Sequence, residues 1–315
     1  MTKFNNSIAI RDAYGKTILE LGKKNKSIYV VDCDIGKSCK TLDFAKECPD
    51  QHINVGIAEQ NACGVAAGLA TCGKIPFVTT YAVFGSMRML EQIRQEVCYP
   101  KLNVKIACSH GGLTPANDGA SHQCIEDYGI LRTIPNMTVI APADYASACS
   151  LIAKAAEWNG PVYLRFTRDP VPCIYKEGTE FEIGKASLIR EGSDITIIST
   201  GDVLSFAYNA AEVLAEKGIS VRLIDMHTVK PLDKDVVIDA ILETGKVITV
   251  EDHNIINGLG SAVCEVAAEL GKGIVKRLGV RDQFGESAPY DHLLKKNGVS
   301  VEDIVDKAML MLSKD

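Results

Sequence analysis

The loop at residues 109–127 concentrates polar side chains that are able to hold a substrate or move protons. Its sequence, SHGGLTPANDGASHQCIED, contains His110, Asp118 and His122, and two of the six histidines of the chain lie there within thirteen residues. Histidine can act as an acid, a base or a hydrogen-bond donor near neutral pH. An ordinary polar surface loop is the alternative. Two histidines on either side of an Asp-Gly turn favour a pocket for a polar substrate.

Two arginines at the end of a later apolar run are suited to bind an anionic group. Arg165 and Arg168 lie in the segment PVYLRFTRDP. A planar guanidinium group binds phosphate or carboxylate through two parallel hydrogen bonds. Either arginine could equally pair with a structural acid such as Asp169, and the sequence leaves both possibilities open.

A single acidic residue stands at the start of an otherwise apolar segment. Residues 56–73, GIAEQNACGVAAGLATCG, predict a buried helix in which Glu59 is the only formal charge. A buried carboxylate must be neutral, paired or hydrogen-bonded. Periodicity alone favours a Glu59 that lies in the first helical turn, contacts solvent and interacts favourably with the helix dipole. Phe84, in YAVFGSM, is by default a core aromatic at a helix start.

Strands and helices must position these side chains. Apolar runs rich in β-branched residues alternate with longer helical patterns, which is typical of parallel α/β architecture. Open sheets of this kind bind ligands at the carboxyl ends of their strands, which the 109–127 loop and the arginines follow. The predicted strands are 27–32, 75–80, 103–108, 137–140, 162–166, 221–225, 246–250 and 274–278.

The chain is long enough for two domains, since its 315 residues can bury two separate cores. The alternation lapses in a polar stretch, YKEGTEFEIGKASLIR, and restarts with DITIIST. We therefore expect a first domain at 1–175, a linker at 176–190 and a second domain at 191–315. Each domain is expected to be a largely parallel sheet flanked by helices.

Bulk properties restrict the partners. A net charge of -6 and a pI near 5.6 argue against nucleic acid or an anionic membrane surface as the main partner. No apolar stretch approaches the roughly 18 residues that span a bilayer, and the start lacks the apolar core of a signal peptide. The eleven cysteines are scattered, with no CxxC pair. The expectation is a cytoplasmic protein in a reducing compartment, without a cysteine-based metal site.

Taken together and in order, these segments resemble the thiamine diphosphate enzymes of the transketolase and 1-deoxyxylulose-5-phosphate synthase group. INVGIAEQNACGVAAGLA is similar to the helix of the pyrimidine-binding domain, ANDGASHQ to the donor-sugar loop, and HTVKPLD and VEDH to parts of the C-terminal domain. The GDG motif of the diphosphate-binding domain does not occur in the chain. The resemblance therefore implies the C-terminal subunit of a split transketolase.

The resemblance also implies an activity and partners. The enzyme would use thiamine diphosphate to transfer a two-carbon ketol unit from a ketose phosphate to an aldose phosphate. It would be active only with an N-terminal subunit that binds the diphosphate and most of the Mg²⁺ or other divalent cation. An α2β2 heterotetramer with self-association is the expected assembly.

Roles for single residues follow from the same resemblance. Glu59 matches the glutamate that bonds to the pyrimidine N1′ of the cofactor. Phe84 matches the aromatic residue that stacks on this ring, and Tyr81 would flank it. Asp118 would bind the C2 hydroxyl of the donor sugar, and His122 its terminal hydroxyl or carbonyl region. The positions that would hold the distant phosphate are His110, Arg11 and Arg168.

Three positions depart from the family pattern. Asn117 replaces the usual acid before Asp118, and Met87 stands where many transketolases have a tyrosine that contacts the pyrimidine. Asp32 occupies a position often given to a phosphate-binding serine, and an anion there would repel a phosphate.

Three other interpretations remain. The β chain of a 2-oxoacid dehydrogenase decarboxylating component has the same domain order, but NDGASHQ and the arginines favour a sugar. A deoxyxylulose-phosphate synthase is normally a single chain. A non-catalytic paralogue would have little reason to keep Glu59, Phe84, Asp118 and His122 together.

Overall fold

The computed structural model describes residues 6–313, which form two α/β units. This confirms the fold class expected from the sequence, because each main sheet is largely parallel and flanked by helices. The elements of the first unit are β1 (Ser7–Ala9), α1 (Ile10–Lys24), β2 (Ile28–Asp32), α2 (Gly36–Cys39), α3 (Leu42–Glu47), β3 (His52–Asn54), α4 (Glu59–Thr71), β4 (Ile75–Tyr81), α5 (Leu90–Gln92), β5 (Lys105–Ser109), α6 (Asp127–Arg132), β6 (Thr138–Ile140), α7 (Tyr145–Glu157), β7 (Val162–Arg165) and β8 (Pro170–Pro172). Two π-helical segments, Phe84–Arg88 and Ile93–Cys98, flank α5.

The second unit continues the alternation of strands and helices. Its elements are β9 (Ser187–Arg190), β10 (Ile195–Ser199), α8 (Leu204–Glu216), β11 (Val221–Asp225), β12 (Thr228–Lys230), α9 (Lys234–Thr244), β13 (Lys246–Asn254), α10 (Leu259–Leu270), β14 (Ile274–Val280), α11 (Tyr290–Lys296) and α12 (Val301–Leu312).

The first sheet has seven strands in the order β12-β6-β7-β5-β4-β2-β3. Its neighbours run parallel except for β12, which is antiparallel to β6. Val31 and Val78 face α4, whereas Val30 and Phe77 face α1 and α7 on the other side. Both faces are therefore covered, which explains why the sequence shows continuous apolar runs instead of a polar alternation.

The second sheet has five strands in the order β14-β13-β10-β11-β9. They run parallel except for β9, which is antiparallel to β11. Two features tie the units together along the chain. Strand β9 forms inside the stretch expected to be a linker, and β12 leaves the second unit to extend the first sheet. The domain bounds given above stay a prediction.

The eight predicted strands all occur, within four residues at each end. The sequence did not predict β1, β3, β8 or β12, which have three residues each and no apolar run of their own.

All eleven cysteines are free thiols, and most are buried. Across residues 6–313, no helix has both the length and the apolar character needed to cross a membrane.

Candidate active site

The carboxyl edge of the first sheet brings the predicted site residues together. Tyr81 ends β4 and pairs in register with Ser109, the last residue of β5. Cys108 pairs with Arg165, the last residue of β7. Because parallel strands end at the same edge, His110 and Arg168 leave the sheet beside Tyr81.

Four aromatic and imidazole rings form the centre of this edge. The rings of Tyr81 and His110 stack with their centroids 3.9 Å apart, and Tyr81 and Phe84 stack at 5.8 Å. The His122 ring lies edge-on to Phe84 at 5.7 Å and to Tyr81 at 6.1 Å. The cluster joins the residues expected to flank a pyrimidine to those expected to meet a sugar.

His110 is held in a strained, buried position. Its backbone φ is 63°, a left-handed value that costs a residue with a Cβ atom about 1 kcal/mol or more. Its Nδ1 lies 2.7 Å from the Ser109 hydroxyl, and only 2% of the residue is exposed. Burial, with added repulsion from Arg11, Arg168 and His122, lowers the pKa of His110 to about 3. His110 is therefore a neutral hydrogen-bonding group.

The charges of Arg11 and Arg168 both lie near enough to His110 to lower its pKa. The Arg11 Nη1 donates to the Ser38 carbonyl at 3.0 Å, while its Nε is buried without a partner among the described residues. The Arg168 Nη1 donates to Asp118 at 3.2 Å and to the Pro115 carbonyl at 2.8 Å. The expected phosphate cradle thus has two cations and a neutral imidazole.

Glu59 is the first residue of α4 and is 5% exposed. Its position in the first turn was predicted correctly, but the solvent contact favoured by periodicity is wrong. The carboxylate Oε1 accepts a hydrogen bond from Arg88 Nη1 at 3.0 Å, and the carbon Cζ of Arg88 lies 3.9 Å from the centre of the Phe84 ring. Arg88 therefore links Glu59 to the aromatic cluster.

The helix α4 is shorter and less covered than the sequence suggests. It begins at Glu59 instead of residue 56, and Gln60, Asn61 and Gly68 on one of its faces are exposed. The small apolar residues predict burial on all sides, whereas the chain itself covers α4 on the sides that face the sheet and the 84–98 segment and leaves one face exposed. Arg88 was missed altogether, and its spacing of four residues after Phe84 was the available signal.

Arg165 takes the structural role that the sequence left open. It is 6% exposed, its Nε lies 3.3 Å from a carboxylate oxygen of Asp127, and its Nη2 donates to the Asp252 carbonyl at 2.7 Å. Asp169, which was suggested as a partner for either arginine, lies 3.8 Å from Arg168. Asp127 and Asp252 belong to different units, so Arg165 binds the two units together.

The same buried network supports the 109–127 loop. A Cβ atom on Gly111 would lie 2.1 Å from Arg165, and one on Gly112 would lie 2.0 Å from the Asp252 carboxylate, so only glycine permits this approach. The Leu113 backbone N–H donates to Asp252 at 2.9 Å. The hydroxyl of Ser287, in the second unit, donates to the Asn117 carbonyl at 2.6 Å. The second unit therefore fixes the loop that carries Asp118 and His122.

The three departures have different structural settings. Asp32 is buried, where it accepts hydrogen bonds from Thr41 and from the backbone of Ile35 and lies 3.9 Å from His52. Burial alone raises the pKa of Asp32, but His52, together with the hydrogen bonds from Thr41 and Ile35, outweighs it and holds the pKa below the usual value. The charge of Asp32 is therefore held by structural partners. Met87 and Asn117 are exposed beside the site.

A cavity of about 610 Å³ lies elsewhere, between β13, β14 and α12, and is lined by Arg277, Arg281 and Lys307 among others. The candidate site is instead an open surface at the carboxyl edge of the first sheet. Nowhere in residues 6–313 do three or more His, Cys, Asp or Glu side chains form a group able to hold a metal ion.

Comparison with protein families covers both units. The family described as transketolase, pyrimidine binding domain, matches residues 6–172, and the transketolase C-terminal domain family matches residues 184–304. The chain is 47% identical over 97% of its length to a protein of Methanocaldococcus jannaschii described as a transketolase C-terminal section, of which it also covers 97%.

Two further relatives are transketolase subunits whose names include a sugar. The chain is 41% identical to the 6-deoxy-6-sulfo-D-fructose transketolase subunit of a Clostridium species, over 95% of the chain and 93% of the relative. It is 38% identical to a subunit of the apulose-4-phosphate transketolase of Phocaeicola vulgatus, over 98% of the chain and 99% of the relative. A solved structure titled as a split gene transketolase, inactive β4 tetramer, is 46% identical, covers 98% of this chain and 99% of that one, and has a TM-score of 0.90.

Proposed function

The chain belongs to the transketolase family, and we propose that it is the C-terminal subunit of a two-chain, thiamine diphosphate-dependent transketolase. The observation that carries this proposal is the arrangement of Glu59, Phe84 and Tyr81 beside His110, His122 and the Asp118–Arg168 pair. A pyrimidine site and a polar sugar site thus meet on one edge of the sheet.

The residues present fit the pyrimidine end of the cofactor. Glu59 offers a buried carboxylate at the start of α4, and Phe84 offers a ring face reached by the same side chain, Arg88, that bonds to Glu59. In this proposal Glu59 holds the pyrimidine N1′ and shares a proton with it, while Phe84 orients the ring by stacking. When bound, the cofactor supplies the carbon nucleophile that breaks and remakes the carbon–carbon bond of the sugar.

The sugar lies over the loop in this proposal. Asp118 accepts a hydrogen bond from a donor hydroxyl, and His122 donates to or accepts from the part of the sugar nearer the cofactor. The neutral His110 contributes hydrogen bonds without charge. These groups bind, orient and exchange protons, and the Arg165 network beneath the loop keeps them in place.

Arg11 and Arg168 favour a substrate with an anionic end. The names of two relatives point the same way, because one acts on a sulfonated sugar and the other on a phosphorylated one. A guanidinium pair suits either group. We propose a ketose that carries a terminal phosphate or sulfonate as the donor, and an aldose as the acceptor.

A second chain completes the site. The residues proposed to hold the pyrimidine lie at the open carboxyl edge of the sheet, and relatives of the same length are subunits or a C-terminal section of transketolases. The partner in this proposal binds the diphosphate and the divalent cation, and two copies of each chain form an α2β2 complex. The solved β4 tetramer described as inactive supports the expectation that this chain alone has no activity.

The test is a reconstitution assay. The purified chain is assayed with xylulose 5-phosphate, ribose 5-phosphate, thiamine diphosphate and Mg²⁺, alone and mixed with the diphosphate-binding chain. The mixture is also tested with a sulfonated ketose and with an unphosphorylated one. We expect activity only in the mixture and only with anionic ketoses. The proposal would be contradicted if the mixture of the two chains oxidatively decarboxylated a 2-oxoacid, or if it showed no activity with any donor.

A further inference from the structure

Arg88 makes contact with both groups that the proposed function assigns to the cofactor ring. Its Nη1 donates to the Glu59 carboxylate at 3.0 Å, and its Cζ lies 3.9 Å from the centre of the Phe84 ring. The first distance is that of a hydrogen bond, here between two charged groups, and the second is van der Waals contact over a ring face. No role follows for Arg88 from the residues that match the family pattern.

A guanidinium group and an aminopyrimidine ring have similar shapes and bonding properties. Both groups are flat, and both stack on an aromatic face. Each can also hydrogen-bond to a carboxylate that lies in its own plane. In the position observed, the Arg88 guanidinium lies against the ring of Phe84 while it bonds to Glu59. A pyrimidine that uses the same carboxylate and the same ring face requires Arg88 to move away.

The difference in exposure between the two charged residues shows which of them can move. The side chain of Glu59 is 5% exposed, whereas that of Arg88 is 49% exposed. Arg88 can rotate into water at little cost in free energy, because about half of its side chain is already exposed. Glu59 cannot follow, and a buried carboxylate that loses its partner is destabilised until another donor replaces it.

We propose that Arg88 is a displaceable internal occupant of the pyrimidine subsite, which pairs with Glu59 until thiamine diphosphate takes its place. This inference rests on the proposed function. Arg88 protects the buried carboxylate in the subunit without cofactor, and it competes with the cofactor for the same contacts. The π-helical segment Phe84–Arg88 places both side chains over the same spot.

Competition of this kind has a measurable consequence for affinity. The apparent affinity for the cofactor is reduced by the fraction of molecules in which Arg88 lies in the subsite. Removing the guanidinium should therefore tighten cofactor binding, roughly 3- to 10-fold for a half-exposed ion pair. The opposite role, in which Arg88 holds the bound cofactor, predicts weaker binding after the same change.

The test is a calorimetric titration of thiamine diphosphate, with Mg²⁺, into the reconstituted two-chain complex. Arg88→Met keeps the aliphatic length but removes the charge and the donors. Arg94→Met is the matched control, because Arg94 is exposed in the next π-helical segment. We expect a lower Kd for Arg88→Met by roughly 3- to 10-fold and an unchanged Kd for Arg94→Met. An unchanged or higher Kd for Arg88→Met would overturn the role of Arg88.

A second measurement does not depend on the cofactor. Thermal unfolding of the chain alone should begin at a lower temperature for Arg88→Met than for wild type, because Glu59 loses its partner, and should not change for Arg94→Met. Equal melting of Arg88→Met and wild type would contradict the protective role. If the wild-type complex does not bind thiamine diphosphate, the proposed function fails together with the inference, whereas normal binding with equal Kd values refutes Arg88 alone.

Discussion

Arg165 and Arg168 are only three residues apart, yet they belong to two different regions of the molecule. Arg165 lies in a closed network between the two units, where Asp127, the Asp252 carbonyl and the face of Tyr128 surround its guanidinium. Arg168 lies at the open edge with a side chain that is 32% exposed, beside a carboxylate that is 39% exposed. In the first region the buried Arg165 is paired with Asp127, whereas in the second region the pair of Arg168 and Asp118 is partly in water and is proposed to bind the substrate.

The two regions are connected by the 109–127 loop. Gly111, Gly112 and Leu113 rest on the closed network, and Asp118 and His122 stand on the open side. The buried network therefore supports the loop that carries Asp118 and His122, the two side chains proposed to bind the sugar. This division predicts that changes in the open region affect catalysis and ligand binding more than stability, and that changes in the closed region affect mainly stability.

The largest expected effect is on catalysis, from Glu59→Gln in the open region. The amide keeps the shape and can still accept a hydrogen bond from Arg88, but it cannot share a proton with the cofactor ring. We expect turnover of the reconstituted complex to fall by about 10³-fold or more. Unfolding of the chain should change by about 1 kcal/mol or less. If the Glu59→Gln complex kept near-normal turnover in steady-state assays, Glu59 would not take part in catalysis.

The next effect is on stability, from Arg165→Met in the closed region. The change leaves Asp127 buried without its cation, so we expect the free energy of unfolding to fall by about 3–5 kcal/mol. Arg168→Met is the matched control and should cost about 1 kcal/mol or less, because its ion pair is exposed. Urea unfolding of the isolated chain measures both. If Arg165→Met and Arg168→Met lowered the free energy of unfolding equally, the proposed difference between the two regions would be wrong.

A smaller effect is expected on substrate binding from Arg168→Ala. Loss of a charge-assisted contact to a terminal phosphate should raise KM for phosphorylated donors by about 10- to 100-fold. The KM for unphosphorylated donors should stay within a factor of about two. The comparison needs kcat and KM for matched donors with and without phosphate. The same increase for both classes would refute the anion cradle.

The smallest effect concerns pH and His110, which lies where the two regions meet. The pKa of the folded His110 is about 3, below the ordinary value of 6.5, so the unfolded chain takes up the proton first as the pH falls. The stability contributed by neutral His110 is therefore present above about pH 6.5 and is lost below it, by about 1.4 kcal/mol per pH unit. Urea unfolding between pH 7 and 5 should show a shallower decline for His110→Gln. Equal slopes would mean that His110 is not kept neutral.

Much of the fold could be predicted from the sequence, because the buried parallel strands form apolar runs with few polar residues. Short strands such as β3 and β12 were not, since their pairing depends on neighbours that are distant in sequence. The same limit applies to the site. The burial of Glu59 and the division of roles between Arg165 and Arg168 depend on partners such as Arg88, Asp127 and Asp252, which periodicity does not show.

The site was predicted as separate residues on five segments, and its connections appear only in the structure. Residue types and spacing indicated a polar pocket in the 109–127 loop, and the family resemblance supplied roles for Tyr81, Phe84 and Arg11. The neutral state of His110 could not be predicted, because it results from burial against Tyr81 and from two distant arginines. The contact of Arg88 with Glu59 likewise joins two helical segments.

In the proposed function, this chain forms the pyrimidine half of a cofactor site that a second chain completes. The test is to titrate thiamine diphosphate, with Mg²⁺, into the chain alone, the diphosphate-binding partner alone and an equimolar mixture of the two. We predict saturable binding in the mixture at one cofactor per pair of chains, with binding to either chain alone weaker by about 100-fold or more. Equally tight binding to one chain alone, or no binding in the mixture, would contradict the claim.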